Sequence, residues 1–171
     1  MKKLMIASDI HGSALWCRAL LDAFAREGAD RLLLLGDLLY HGPRNDLPDG
    51  YAPKEVIAML SDVREKILAV RGNCDTEVDQ MVLPFPILAD YAVLDVGGVT
   101  LYATHGHIWN SSHLPPLCPG DVLVYGHTHV PEDVVADGVR CLNPGSVSIP
   151  KNGSARGCLI LENGVFTRKT L

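Results

Sequence analysis

The sequence predicts an α/β fold of two packed β-sheets flanked by helices. Three observations predict it. The first half alternates short apolar runs with helical patterns, as a parallel sheet with crossover helices does. The second half carries apolar runs in pairs around glycine turns, as antiparallel hairpins do. The longest apolar runs are too short to be anything but strands buried on both faces.

Taken in order, Lys3 to Ala7 reads as a buried strand. Ser13 to Gly28 reads as a helix, with Ser13 able to cap it, Leu15, Ala19 and Phe24 among the apolar positions, and Gly28 where a helix stops. Leu32 to Leu35 is a second strand. Leu38 to Ala52 contains Gly42, Pro43, Pro48 and Gly50 and reads as a long loop, a kind usually reserved for function. Pro53 opens a helix reaching about Leu60. Lys66 to Val70 is the third strand, and Thr76 to Met81 a short helix before Pro84 and Pro86. Tyr91–Val96 and Val99–Ala103 form a hairpin around Gly97-Gly98. Asp121 to Tyr125 is a buried strand. Val134–Ala136 and Val139–Leu142 pair around Asp137-Gly138, and Ala155–Leu161 and Val165–Arg168 pair around Glu162-Asn163-Gly164. The two halves are expected to form the two sheets. With no linker or repeat, residues 1–171 read as one domain.

Composition removes several functions. The chain has 15 Lys+Arg against 20 Asp+Glu, a formal charge of −5, which disfavours an electrostatic grip on nucleic acid. No dedicated nucleic-acid-binding module and no basic membrane-surface helix is evident. The apolar start, Leu4 to Ala7, is too short for a signal peptide and no run approaches a membrane span. The five cysteines Cys17, Cys74, Cys118, Cys141 and Cys158 are scattered, with no CxxC, and suit a reducing cytoplasm. Those other than Cys74 are expected in the core.

The chemistry lies where strands end. Asp9 and His11 follow the first strand, Asp37 the second and Asn73 the third. His105 and His107 follow Tyr102-Ala103-Thr104, and His127 and His129 follow Val122 to Gly126. In α/β sheets, ligands bind beyond the carboxyl ends of strands, where loops converge. A lone histidine is more often a surface or core residue than a ligand, but here that reading must hold at five strand ends. Mixed carboxylate and imidazole donors suit Mn²⁺, Fe²⁺, Zn²⁺ or Co²⁺ better than Ca²⁺. One ion would leave many donors unused, so two are expected, a pairing suited to displacement at phosphorus.

The blocks Asp9-Ile10-His11-Gly12, Gly36-Asp37, Gly72-Asn73, Thr104-His105-Gly106-His107 and Gly126-His127-Thr128-His129 resemble, in order and spacing, those of the calcineurin-like metallophosphoesterases. Gly72-Asn73-Cys74-Asp75-Thr76-Glu77, His41-Gly42-Pro43-Arg44-Asn45 and Asn143-Pro144-Gly145-Ser146-Val147-Ser148-Ile149-Pro150 resemble a small bacterial phosphodiesterase subfamily. The resemblance implies an αββα sandwich that hydrolyses small phosphodiesters. It implies Asp9, His11 and His129 on one divalent ion and Asn73, His105 and His127 on a second. Asp37 and a hydroxide then bridge the ions. Mn²⁺ is the expected metal, with Fe²⁺, Zn²⁺, Co²⁺ and Ni²⁺ as alternatives. Catalytic roles fall on Asp37, Asn73, His107 and Cys74; substrate contacts fall on Arg44, His41 and Asn73.

Cys74 stands where most of the superfamily has His. A thiol, with a reference pKa of ~8.5, is a poorer proton donor than imidazole, and packing beneath the metals is its plainer role. His41, His107 and Asp75 are alternative donors. Arg44 has the planar fork that matches phosphate oxygens, or is simply a solvated loop residue. Asp75 and Asn143 are expected to orient metal-bound histidines, and His113 to lie on the surface. The competing readings are a phosphomonoesterase on the same site and a non-catalytic scaffold of the retromer-subunit type. Self-association is open, with Trp109, Leu114 and Leu117 as contact patch or core.

Overall fold

In the computed structural model, which describes residues 1–171, the first strand shows how the layers are built. Leu4, Met5, Ile6 and Ala7 of β1 (Lys3–Ala7) are all fully buried. Met5 and Ala7 face a core shared with helices, while Leu4 and Ile6 face a second core between two sheets. Alternate side chains of a strand point to opposite faces, so a continuous apolar run is what a strand covered on both sides requires. β2 (Arg31–Leu34) repeats the pattern, with Leu32 and Leu34 on the helical side and Leu33 on the other.

The helices follow from local chemistry. α1 (Ala14–Glu27) begins where the Ser13 hydroxyl accepts the Trp16 N–H and ends at Gly28, whose φ of 62° closes the last turn. α2 (Pro53–Asp62) opens on proline and buries Val56 and Leu60, one turn apart. A 3₁₀ turn at Arg64–Lys66 shortens the third strand to β3 (Ile67–Ala69). Thr76 caps α3 (Glu77–Val82) through a reciprocal bond with Asp79 instead of being its first residue. α1 and α2 contribute buried residues to the core on the outer face of β1 and β2, as do Leu83, Phe85 and Ile87 after α3.

The remaining strands are β4 (Tyr91–Val96), β5 (Val99–Thr104), β6 (Val122–Val124), β7 (Glu132–Ala136), β8 (Val139–Asn143), β9 (Gly157–Glu162) and β10 (Val165–Thr170). They complete two mixed five-stranded sheets flanked by helices, ordered β10-β9-β1-β2-β3 and β4-β5-β6-β8-β7. β1, β2 and β3 run parallel, as do β5, β6 and β8. The three hairpin turns have positive φ at both central residues, for example 48° at Asp137 and 79° at Gly138.

One expectation about the sheets is corrected. The last hairpin does not join the second sheet; β9 returns to pair antiparallel with β1. The reason is burial. Cys158 and Ile160 face the helical core while Leu159 and Leu161 face the inter-sheet core. Such a strand needs cover on both faces, which the first sheet has. On the second sheet, Leu114 and Leu117 pack against Leu123, Tyr125, Val139 and Cys141, so they are core. Trp109 stacks on the exposed His113 with centroids 4.7 Å apart. Cys118 is exposed, contrary to expectation, because it stands in the turn preceding β6 where no layer covers it. No helix is long and apolar enough to cross a membrane.

Candidate metal centre

The parallel strands of both sheets end on the same side, and their loops meet there. Asp9 and His11 come from beyond β1, Asp37 from β2, Asn73 and Cys74 from β3, His105 from β5, and His127 and His129 from β6. Five of these residues have positive φ: Asp9 (61°), His11 (49°), Asp37 (55°), His127 (64°) and His129 (60°). Left-handed backbone is uncommon outside glycine and gathers at functional sites. It lets each chain turn sharply off its strand and aim the side chain inward. At Gly72 the backbone passes so close to Asp37 that a Cβ would overlap the Asp37 amide and carboxylate.

Backbone carbonyls set the imidazoles. His11 Nδ1 bonds the Tyr40 carbonyl, His105 Nδ1 the Leu35 carbonyl and His129 Nδ1 the Ile149 carbonyl, each at 2.7 Å. A carbonyl only accepts, so each Nδ1 carries a proton and Nε2 is the nitrogen that each ring turns toward the other donors. His11 Nε2 and His129 Nε2 then face one another at 3.3 Å. Asp9 Oδ1 lies 3.5 Å from the first and 3.2 Å from the second, and is buried with no hydrogen-bond donor. Around His105 Nε2 stand Asn73 Oδ1 at 3.0 Å, His127 Nδ1 at 3.3 Å and Asp37 Oδ2 at 3.4 Å. Acceptor atoms that converge so closely need a proton or a metal cation among them, and a metal can take the place of the proton. The oxygen and nitrogen donor set therefore fits a divalent metal.

The electrostatics agree. Burial opposes charge on Asp9, yet the His11 and His129 rings hold its pKa well below the usual carboxylate value. Burial likewise opposes charge on Asp37, and His105 holds its pKa down. Burial favours neutral His105, but Asp37 and Asp9 raise it to about 9. His127 is lowered to about 4 by burial and by His105. Burial, with the Asp37 carboxylate beside it, pushes the Cys74 thiol up to about 12, so it stays neutral in the ion-free protein.

Asp75 and Asn143 have different work from that expected. Asp75 accepts the backbone N–H groups of Asp37 (2.8 Å), Leu38 (2.9 Å) and Gly72 (2.8 Å) and touches no imidazole. Asn143 donates to the Gly126 carbonyl at 2.7 Å and to Thr128 Oγ1 at 3.1 Å. Both shape the backbone that carries the donors; the Nδ1 groups of His11, His105 and His129 already have carbonyl partners. Ser146 and Ser148, singled out only as part of a motif, donate their hydroxyls to the Asp9 carbonyl at 2.9 and 3.1 Å.

A cleft of about 330 Å³ opens over the cluster, lined by His11, Asp37, Asn73, His127 and His129. Arg44 and Lys151 line it as well. Lys151 is tied to the site by its own N–H, which donates to the His129 carbonyl at 3.2 Å. Sequence reasoning missed Lys151, which no local pattern distinguishes from a surface lysine. His41 is not among the cleft-lining residues; its ring lies edge-on to Tyr40 and Tyr51, at 4.8 and 5.4 Å between centroids. His107 is exposed, its ring 5.5 Å from that of His105.

Residues 1–164 match the model of the calcineurin-like phosphoesterase superfamily domain. The chain is a calcineurin-like phosphoesterase. This phosphoesterase is 50% identical to the phosphodiesterase YfcE of Escherichia coli K12, over 98% of this chain and 91% of that protein. The solved structure of E. coli YfcE superposes with a TM-score of 0.93, covering 96% of this chain and 91% of that one. A phosphodiesterase of Methanocaldococcus jannaschii, MJ0936, is 25% identical over 84% of this chain and 82% of its own. Vps29 from Entamoeba histolytica shares the fold alone, at 18% identity and a TM-score of 0.62, covering 99% of this chain and 98% of that one.

Proposed function

We propose that this phosphoesterase hydrolyses small phosphodiesters with two divalent ions, Mn²⁺ foremost. Asp9, His11 and His129 hold one ion, and Asn73, His105 and His127 the other. The observation that carries the reading is the place of Asp37. Its Oδ2 lies 3.7 Å from His11 Nε2 and 3.4 Å from His105 Nε2, between the two donor groups. When bound, a pair of divalent ions makes water nucleophilic near neutral pH and offsets charge on phosphoryl oxygens.

The chain's own residues supply the rest. Asp37 keeps its negative charge between the two positions. His11, His105 and His129 have Nδ1 fixed on backbone carbonyls, so Nε2 is the nitrogen each offers to an ion. Arg44 and Lys151 receive the non-reacting phosphoryl oxygens from the cleft wall, where neither is paired with an acid. Asn73 is exposed and His127 half-buried, whereas Asp9, His11 and His129 are buried, so substrate enters from the Asn73 side. Cys74 packs beside Asp37 as a neutral thiol. His107, exposed at the rim with its pKa lowered by burial and by His105, is the imidazole available to exchange a proton with a leaving group.

This reading treats residues 1–171 as one catalytic domain. The formal charge of −5 favours small diesters over polyanionic nucleic acid. Five free thiols fit a cytoplasmic setting.

The test is a substrate panel on metal-stripped protein with Mn²⁺ added back. Release of p-nitrophenol is expected to be faster from bis-p-nitrophenyl phosphate than from p-nitrophenyl phosphate. The reverse order establishes the monoesterase reading. Absence of both bound metal and Mn²⁺-stimulated hydrolysis establishes the scaffold reading.

A further inference from the structure

Cys74 lines two cavities. One is the cleft over the metal centre; the other is a groove of about 440 Å³ between the long loop, α2 and α3. The groove is lined by Tyr40, Tyr51, Ile57, Val78 and Val82, a largely apolar set. Several of these stand open to solvent: Tyr40 is 42% exposed, Val82 48% and Val78 70%. Apolar side chains scattered singly over a surface need no explanation, but a contiguous concave set marks a binding site.

Its place identifies what it binds. Cys74 Sγ, a His11 ring nitrogen and an Asp37 carboxylate oxygen lie within 4.8 Å of one another. A phosphoryl group seated over His11 and Asp37 therefore sits beside the one side chain that lines both cavities. A thiol is a small, weakly polar surface and makes an apolar threshold between the two cavities. The ester oxygens of a phosphodiester carry no formal charge, and the groove walls meet an arm attached there with two tyrosines and three aliphatic side chains.

We propose that this groove is the subsite for one ester arm of the substrate, and that the arm it takes is an apolar aromatic ring. The inference rests on the phosphodiesterase reading and names the substrate class of that same site. It makes Tyr40, Tyr51 and Val78 specificity residues that touch the arm and leave the phosphorus to the metal centre.

Phosphonates test it without turnover. Phenylphosphonate and methylphosphonate both place a phosphoryl group on the metals, but only the first carries a ring. On the Mn²⁺-loaded protein, calorimetry is expected to give phenylphosphonate about tenfold tighter binding, the gain from burying part of a ring. Val78→Asp, at an open position on the groove wall, is expected to reduce that preference below about twofold and leave methylphosphonate unchanged. Val82→Thr, nearly the same shape, is expected to lower the preference in the same direction.

Equal binding of the two phosphonates by the parent protein overturns the proposal, as does a preference that survives both substitutions. Sedimentation velocity guards against another occupant. A dimer that Val78→Asp dissociates while the phenyl preference persists makes the groove an interface between copies, which also overturns it. If Mn²⁺-dependent diester hydrolysis is absent but the phenyl preference and its loss are seen, the activity reading has failed and the subsite stands.

Discussion

Asp75 Oδ2 accepts the backbone N–H of Asp37 at 2.8 Å and that of Gly72 at the same distance. One buried carboxylate thus ties the loop after β2 to the loop after β3. Its other oxygen takes the Leu38 N–H at 2.9 Å. Asp37 reaches back with its own carboxylate, accepting the Cys74 N–H at 2.8 Å. Asp37 is thus held from both sides, its backbone N–H by Asp75 and its carboxylate by the Cys74 N–H.

Asp75→Asn replaces one of those acceptor oxygens with a donor that faces backbone N–H groups. Stability is expected to fall by about 1–3 kcal/mol, the penalty of unsatisfied buried groups. Metal affinity is expected to fall about 10–100-fold, as when outer partners of ligands are lost. Thermal unfolding of the ion-free protein and Mn²⁺ titration separate the two effects. Unchanged affinity would show that Asp75 matters to the fold alone.

Asp37→Asn removes the charge between the two donor groups. Activity and metal pairing are expected to disappear together, with elemental analysis giving fewer than two ions per chain. Full activity in this variant would contradict the two-metal reading.

Cys74→Ala is expected to lower activity by less than about tenfold, because a thiol pushed up to about 12 is a weak proton donor. Positioned general acids usually contribute about 10²–10⁴-fold. A loss of several hundred-fold with both ions still bound would make Cys74 a participant in the chemistry.

The pH dependence has a definite sign. His105 in the ion-free protein is raised from 6.5 to about 9. Its contribution to ion-free stability is therefore full below pH 6.5 and lost as pH rises through about 9. At pH 7.5 the ring still holds the proton that a metal must displace. Mn²⁺ binding is expected to release on the order of one proton, and its affinity to rise with pH across this window. Calorimetry in buffers of different ionisation enthalpy measures the release; no buffer dependence would contradict the assignment of His105 to an ion.

Much of the centre was legible because its information is local. Asp9, His11, Asp37, Asn73, His105, His127 and His129 each follow a short apolar run, and parallel strands bring such ends to one side. The hairpins were legible for the same reason, since Asp137-Gly138 and Asn163-Gly164 hold the positive φ that their turns require. Left-handed backbone at Asp9, His11, Asp37, His127 and His129 carries no comparable signal in residue type, apart from the glycines beside His11, Asp37 and His127.

What the sequence determined by itself is the inventory of donors, their order along the chain and the strands that deliver them. Burial pattern and turn chemistry act over a few residues and can be read there. Only the tertiary structure decided that β9 pairs with β1, that Ser146 and Ser148 hold the carbonyl of Asp9, and that Tyr40, Leu35 and Ile149 set the imidazole tautomers. The last three contacts use backbone carbonyls, which every residue carries. Ser146 reaches Asp9 across 137 positions of chain. No residue type announces such a bond; it exists because packing two sheets brings those loops to the same edge.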